Sequence, residues 1–311
     1  MNLQIKRNYI FPVVLCILAL VTACDQQQQS VVVFDTPEAA IQSLSDLIGQ
    51  SDGNRIEQIF GAGSLDLFQS GDDDADRRGA QRVKELIEQW VGFEDFDENT
   101  KIALLGEVAW SWPIPLVREG NGWRFDIEKG RQELLNRRIG RNELWTLTSL
   151  HEVVEAQREY RSVSRDGNPR AYAQRFRSTE GNRDGLYWPT DDESELSPLG
   201  ELLAGSEAWT DEPHPFQGYF YRILTSRSDN APGGEMDYLD ENGYLVHGYA
   251  VIAWPAKYGN SGIMTFMINH RGLVFEKDLG PETLQVVAEI DSYDPDPTWS
   301  PTEDTLVGIE D

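Results

Sequence analysis

A cysteine thiolate is the strongest nucleophile a side chain offers near neutral pH, and this chain of 311 residues places both of its cysteines, Cys16 and Cys24, near its start. Cys24 closes the run Val21-Thr22-Ala23-Cys24. A cut before it leaves a chain whose first residue is its one thiol, so disulfides, cysteine-zinc sites and thiol redox chemistry are excluded together. The remaining chemistry-bearing residues are scattered. His151-Glu152-Val153-Val154-Glu155 has the zinc-protease pattern H-E-x-x-H with Glu155 in place of the second histidine. His151 and Glu155 share a helix face at i and i+4, but a metal needs a third ligand and none is identifiable, so the pair reads as a solvated face. His247 alternates with Leu245 and Tyr249 in the manner of a satisfied sheet histidine, His270 falls in a turn, and His214 sits between Pro213 and Pro215. The last two read as surface loop residues. Gly259-Asn260-Ser261-Gly262 misses a nucleophile elbow because Ile263 stands where the closing glycine belongs. Asp166-Gly167-Asn168 has the look of a calcium-loop fragment, but Pro169 follows and further acidic ligands do not, which leaves a turn. No phosphate-binding or dinucleotide fingerprint occurs, and no cofactor or metal is expected.

What precedes Cys24 decides what its thiol is for. Lys6 and Arg7 form a positive start, and Tyr9 to Val21 an apolar run of about a dozen residues, too short for a bilayer core that takes about 20. That is the build of an export signal. Val21-Thr22-Ala23-Cys24 resembles the lipobox of bacterial lipoproteins. The resemblance implies that the Cys24 thiol takes a diacylglyceryl group, that residues 1–23 leave as a signal peptide, and that acylated Cys24 becomes the first residue. One acyl chain binds a membrane marginally, and two or three hold firmly. Asp25 resembles the residue that keeps enterobacterial lipoproteins in the inner membrane. It implies a lipid-anchored protein facing the periplasm from that membrane, with the outer membrane as the alternative. Residues 24–33, with glutamine at 26 to 29, form a polar tether that cannot pack a core.

The charge balance narrows the partners. The formal net charge is -26, and the first 23 residues remove only Lys6 and Arg7, so the exported chain is more acidic still. Such a surface repels nucleic acid and anionic headgroups, and no nucleic-acid partner is expected.

Apolar spacing gives an α+β plan in two parts. In residues 34–130, Thr36 reads as an N-cap, Pro37 as the first helical residue and Glu38 as a favourable charge, and Ala40, Ile41, Leu44, Leu47 and Ile48 form one stripe. Further helices are expected over Arg55 to Phe60 and Ala75 to Val91, the latter with Val83, Leu86, Ile87 and Trp90 inward and the acidic run Asp72 to Asp74 as capping charge. Strands follow at Ile102 to Leu105, Val108 to Val117 and Trp123 to Ile127, the last two joined by a Glu119-Gly120-Asn121-Gly122 turn. Helices before an antiparallel meander resemble cystatin-like and NTF2-like modules. Residues 131–141 carry four arginines and read as a linker. In residues 142–290, Asn142 caps a helix of Leu144, Leu147, Leu150 and Val154 that ends near Tyr160. A polar stretch then holds short helices at Ala171 to Arg177 and Pro198 to Ala208. Four strands close the part: Tyr219 to Thr225, Leu245 to Trp254, Ile263 to Ile268 and Leu273 to Lys277. Ile252 and Trp254 are expected on one sheet face with Met264, Phe266 and Ile268, under a helix. Residues 291–311, rich in Asp and Pro, read as a disordered acidic tail.

A long helix, a variable loop and a four-stranded antiparallel sheet resemble the globular headpiece of type IV pilins and pseudopilins. The likeness rests on "NELWTLTSLHEVVEAQREY", "GYFYRILTS" and "AVIAWPAKYGNSGIMTFMINHRGLVFEKD". Pilins carry a continuous apolar segment before that helix, whereas this chain has Arg131, Arg137, Arg138 and Arg141 there, which argues against filament assembly. From "FDTPEAAIQSL" through "WPIPLVREGNGWRFD", "RDGLYWP" and "YFYRILT" to "FEKDLGPET", the chain resembles an uncharacterised family of bacterial lipoproteins known by the label domain of unknown function 2950. The resemblance implies an envelope lipoprotein and supplies no substrate. Tyr187 and Trp188, in Leu186-Tyr187-Trp188-Pro189, are the partner-binding candidates, since loop aromatics bury much area with few rotamers to freeze; the competing reading folds them back onto the sheet. The expected function is a non-enzymatic binding or adaptor protein in envelope assembly or secretion. The alternative is an acidic envelope hydrolase with an Asp/Glu pair.

Overall fold

The computed structural model describes residues 31–50, 53–68, 73–190, 196–208, 210 and 213–302. Its mixed helices and antiparallel sheets are an α+β arrangement. The described residues form two compact units, the first running to Ser111 and resuming over Leu116–Ile127, the second made of Trp112–Pro115 and the chain from Glu128 onward.

The first unit opens with α1 (Pro37–Leu47), where Thr36 Oγ1 accepts the Ala39 amide at 3.1 Å and Ala40, Ile41, Leu44 and Leu47 are buried. Helices α2 (Gly53–Phe60), α3 (Leu65–Phe68) and α4 (Asp73–Gln89) follow; of the acidic run, Asp72 lies outside the described residues. Trp90, expected inward, sits beyond α4 and is 47% exposed. Strands β1 (Val91–Asp97), β2 (Thr100–Leu105), β3 (Trp110–Ser111), β4 (Leu116–Glu119) and β5 (Gly122–Phe125) form an antiparallel sheet in the order β1-β2-β4-β5, with β3 on β2. The strand expected over Val108 to Val117 is thus two short ones. Glu119 pairs with Gly122 across the two-residue turn Gly120-Asn121, and Gly120 takes φ 59°, the left-handed region a glycine enters without steric cost.

The second unit is built on α5 (Ile127–Ser162), a helix of 36 residues. This corrects two expectations. Residues 131–141 are helix rather than linker: they lack an apolar stripe but are good helix formers, and Arg137 pairs with Glu133 one turn back at 2.7 Å. Asn142 lies inside the helix and caps nothing. The buried face of α5 is also partly polar, carrying Asn142, Thr146, Ser149 and Gln157 beside Leu147, Leu150, Val153 and Val154, whereas Leu144 is 63% exposed. Each polar side chain has a job: Asn142 Nδ2 donates to the Ser261 carbonyl at 2.8 Å, and Gln157 is bonded on both sides to Ala173, donating to its carbonyl at 2.9 Å and accepting its amide at 2.8 Å. Gln157→Ala should therefore lower unfolding stability by about 2–3 kcal/mol, because two buried backbone groups lose their partner; urea unfolding checks this.

Residues 171–177 are not helical, since their backbone bonds go to distant segments: the Tyr172 amide donates to Leu245, the Leu186 amide to Arg175 and the Tyr187 amide to Phe176. Near the expected Pro198 to Ala208 helix only α6 (Glu201–Ala204) forms. Strands β6 (Tyr219–Leu224), β7 (Ser226–Arg227), β8 (Met236–Asp237), β9 (Ala250–Pro255), β10 (Met264–Asn269) and β11 (Val274–Asp278) come next, then α7 (Thr283–Glu289) and β12 (Ser300–Pro301). The main sheet runs β12-β11-β10-β9-β6, so the four expected strands gain a short fifth at the edge. Its register corrects the face assignment. Ile252 lies opposite Met267 and Arg222, while Phe266 lies opposite Ala253, which puts Ile252 and Trp254 on the face away from Met264, Phe266 and Ile268. Both faces are covered, which explains why every residue of β9 is buried. On one side Glu143 of α5 accepts the amides of Ile263 and Met264 at 2.9 and 3.0 Å; on the other, Arg222 donates to carbonyls of Val287 and Ile290 at the end of α7.

The tail expectation fails up to residue 302. Tyr293 is 1% exposed and Trp299 7%, the Tyr293 amide donates to Ser226, and Ser300 and Pro301 pair with β11. Two aromatic anchors outweigh the polar composition. Residues 303–311 lie outside the described residues.

Candidate binding site

A cavity of about 450 Å³ opens in the second unit where β7, the turn after β10 and the segment before β12 meet. Four stretches far apart in sequence build it. Arg227 comes from β7, and its guanidinium donates to the Gly233 carbonyl at 3.1 Å; Gly233 takes φ 94°, the left-handed region that favours glycine. Tyr238 follows β8, its amide bonded to Thr225. His270, Arg271, Gly272 and Leu273 come from the turn after β10, shaped by Asn269 Oδ1, which accepts the amides of Arg271 and Leu273 at 2.9 and 3.2 Å. Tyr293 completes the wall, tied to Ser226 and Ser228 by backbone bonds, and its hydroxyl accepts from Asn269 Nδ2 at 3.4 Å.

The lining is unlike the rest of the molecule. Among the described residues it carries Arg227, His270 and Arg271 and no Asp or Glu, in a chain with 53 acidic and 27 basic residues. Neither arginine is ion-paired to a carboxylate among the described residues. Burial pushes the Tyr238 and Tyr293 phenols up, so both remain hydroxyl donors. His270 stands edge-on to Tyr238 at 5.9 Å, with Nδ1 buried against Gly248 and without a hydrogen-bond partner. Burial holds this imidazole below its usual pKa of 6.5, and the positive charges of Arg271, Arg227 and Arg161 push the same way. Between the folded pKa and 6.5 the unfolded chain binds more protons, so stability is lost as pH falls through that window. Urea midpoints should decline from pH 7 toward pH 5.5, and His270→Gln should flatten the decline.

The residues singled out from sequence lie elsewhere. Cys24 and Asp25 fall outside the described residues. Tyr187 and Trp188 do not line the cavity. Trp188 is 6% exposed with the guanidinium groups of Arg165 and Arg183 at 5.5 and 5.8 Å from its ring, and half-buried Tyr187 has Arg177 at 4.8 Å. The aromatic loop has folded back. His151 is half-buried on α5, and Glu155 pairs with Arg158 at 2.6 Å rather than with the histidine; no cluster of three metal-ligating side chains occurs among the described residues. His247 and His214 are exposed, so His247 is a surface residue and not a sheet one; β9 starts only at Ala250. Ser261 lies in the hairpin turn, its Oγ accepting the Lys257 amide at 2.9 Å, and Asp166 at φ 51° accepts the Arg183 amide, which makes both motifs turns. Among carboxylates, Glu207 is raised by burial and accepts the amides of Phe176 and Arg177, and Glu276 is raised by burial and by the charge of Glu143. Glu143 is occupied in docking α5 onto the sheet.

His270 looked like a surface residue because it sits in a turn, yet Asn269-His270-Arg271-Gly272 was visible as the one turn pairing a histidine with an arginine. No sequence signal joins it to Arg227, Tyr238 and Tyr293.

Among comparisons with known proteins, the family model described as protein of unknown function (DUF2950) matches residues 31–302. No curated protein and no solved structure matches. No helix among the described residues is long and apolar enough to cross a membrane.

Proposed function

From the premise that the chain belongs to the DUF2950 family, a family of unknown function, we propose that it is a lipid-anchored envelope lipoprotein that captures a ligand or partner rather than transforming it. The cationic cavity, free of carboxylates among the described residues in an otherwise acidic chain, carries this reading. An acid-base hydrolase needs two carboxylates facing a substrate, and the cavity offers hydrogen-bond donors instead. Val21-Thr22-Ala23-Cys24 supports anchoring at acylated Cys24, Asp25 supports retention at the periplasmic face of the inner membrane, and the outer membrane is the alternative address. The helix-then-meander order of the first unit supports a cystatin-like or NTF2-like module. A long helix across an antiparallel sheet supports a pilin-like second unit, and both kinds of module commonly bind. Intact mass spectrometry of the full-length protein extracted from membranes tests the anchor. A chain beginning at Cys24 and carrying fatty acyl mass is expected; an unmodified chain, or one starting elsewhere, overturns it.

A further inference from the structure

We propose that the cavity between Arg227, Tyr238, His270, Arg271 and Tyr293 binds the oxyanion group, carboxylate or phosphate, of a small molecule. This rests on the reading of the cavity as a binding site and names what it takes.

Three observations converge. The first is charge: among the described residues, two guanidinium groups without ion-pair partners face a space that no carboxylate lines, and a chain with a net charge of -26 overall gives no reason for such a pocket except an anionic occupant. The second is hydrogen-bond polarity. Arginine carries donors only, and the buried phenols keep their protons, so the wall is rich in donors and matches an oxygen-rich anion. The third is support. Arg227 is held by the Gly233 carbonyl, and Asn269 fixes the turn bearing His270 and Arg271, so the donors are positioned before a ligand arrives. A volume of about 450 Å³ suits a sugar acid or a small phosphate ester.

His270 gives the site a built-in reporter. The charged groups facing it are Arg271 in its own turn, Arg227 from β7 and Arg161 from α5, and the rings packed on it are Tyr238 and Tyr249. All three charges are positive. A bound anion offsets them, so His270 takes up a proton at higher pH when the site is filled.

The test uses the full-length chain in mild detergent at low salt, titrated with inorganic phosphate and, separately, with glucuronate, read by calorimetry and by the ring carbon shifts of labelled histidine. Saturable binding of at least one anion is expected, with affinity reduced at least about tenfold in Arg271→Glu and the His270 signal, assigned with His270→Asn, titrating at higher pH in the complex. Arg271 is exposed, so its variant should fold normally. Phosphate alone would assign phosphate esters, glucuronate alone carboxylates, and both a general oxyanion site. No binding of either anion to the folded chain, or equal binding by Arg271→Glu, overturns the proposal. The neutral methyl ester of glucuronate binding as tightly as the acid would also overturn it, while leaving the cavity a binding site.

Discussion

Cys24→Ala should abolish incorporation of labelled fatty acid into the protein and leave residues 1–23 attached. Under the proposed anchoring the thiolate is the acceptor of the diacylglyceryl group, and no other side chain near the cut has comparable nucleophilicity. Because the dedicated cut follows acylation, the alanine form should migrate as the heavier precursor. The uncut apolar run would still associate with membrane, so fractionation of that variant alone says little. The informative companion combines Cys24→Ser with a conventional cleavable signal in place of residues 1–23. It should move to the soluble envelope fraction, since two acyl chains worth about 0.8 kcal/mol per buried CH₂ have been removed. Continued acyl labelling of either form would refute anchoring at Cys24.

Trp254→Ala should cost about 3–5 kcal/mol of stability in the second unit. The indole is 1% exposed in β9, an interior strand of the main sheet, and packs with Phe220, its cross-strand neighbour, at 6.3 Å between ring centres. It lies on the face covered by α7, whose end is held by Arg222 on that same face. The void left by alanine sits between a sheet and a helix that are each fixed elsewhere, so it relaxes little. Trp254→Phe should recover more than half of the loss. Chemical unfolding followed by circular dichroism checks both. A loss under about 1 kcal/mol for the alanine form would mean that the sheet is not covered on both faces as described.

Local chemistry was legible in the sequence where one residue type decides the backbone. Thr36 before Pro37 gives the start of α1, Gly120-Asn121 gives the β4–β5 turn, and three of the four expected strands of the main sheet fall within one residue of their bounds, while β9 starts five residues later than its apolar alternation. Features depending on distant partners were not. The buried face of α5 includes Asn142 and Gln157, whose roles exist only because Ser261 and Ala173 arrive there. An apolar stripe drawn from spacing therefore picked Leu144, which faces water. Residues 131–141 hid a helix behind arginines, and β1 hid a strand behind Glu94, Asp95 and Asp97. The aspartates and prolines after residue 291 masked Tyr293 and Trp299, whose burial orders that segment.

The cavity illustrates the same limit for function. Its turn was visible, with His270 and Arg271 side by side, but Arg227, Tyr238 and Tyr293 join it only through the β7–β8 pairing and the bonds between Tyr293 and Ser226 and Ser228. Charge counting over the whole chain pointed to acidity and missed a local inversion of sign. The aromatic loop offered the opposite lesson: Tyr187 and Trp188 have the composition of a docking site, but arginines at 165, 177 and 183 cover their rings within the same unit.

In-cell crosslinking tests the central claim most directly. A photoreactive residue replaces Pro232, which lines the cavity wall, in the full-length chain; captured material is identified by mass spectrometry, and the Arg271→Glu form is run beside it. A reproducible adduct that disappears with Arg271→Glu is the expected result. No adduct above background while the protein is abundant and membrane-bound, or an adduct indifferent to Arg271, would contradict capture at this cavity.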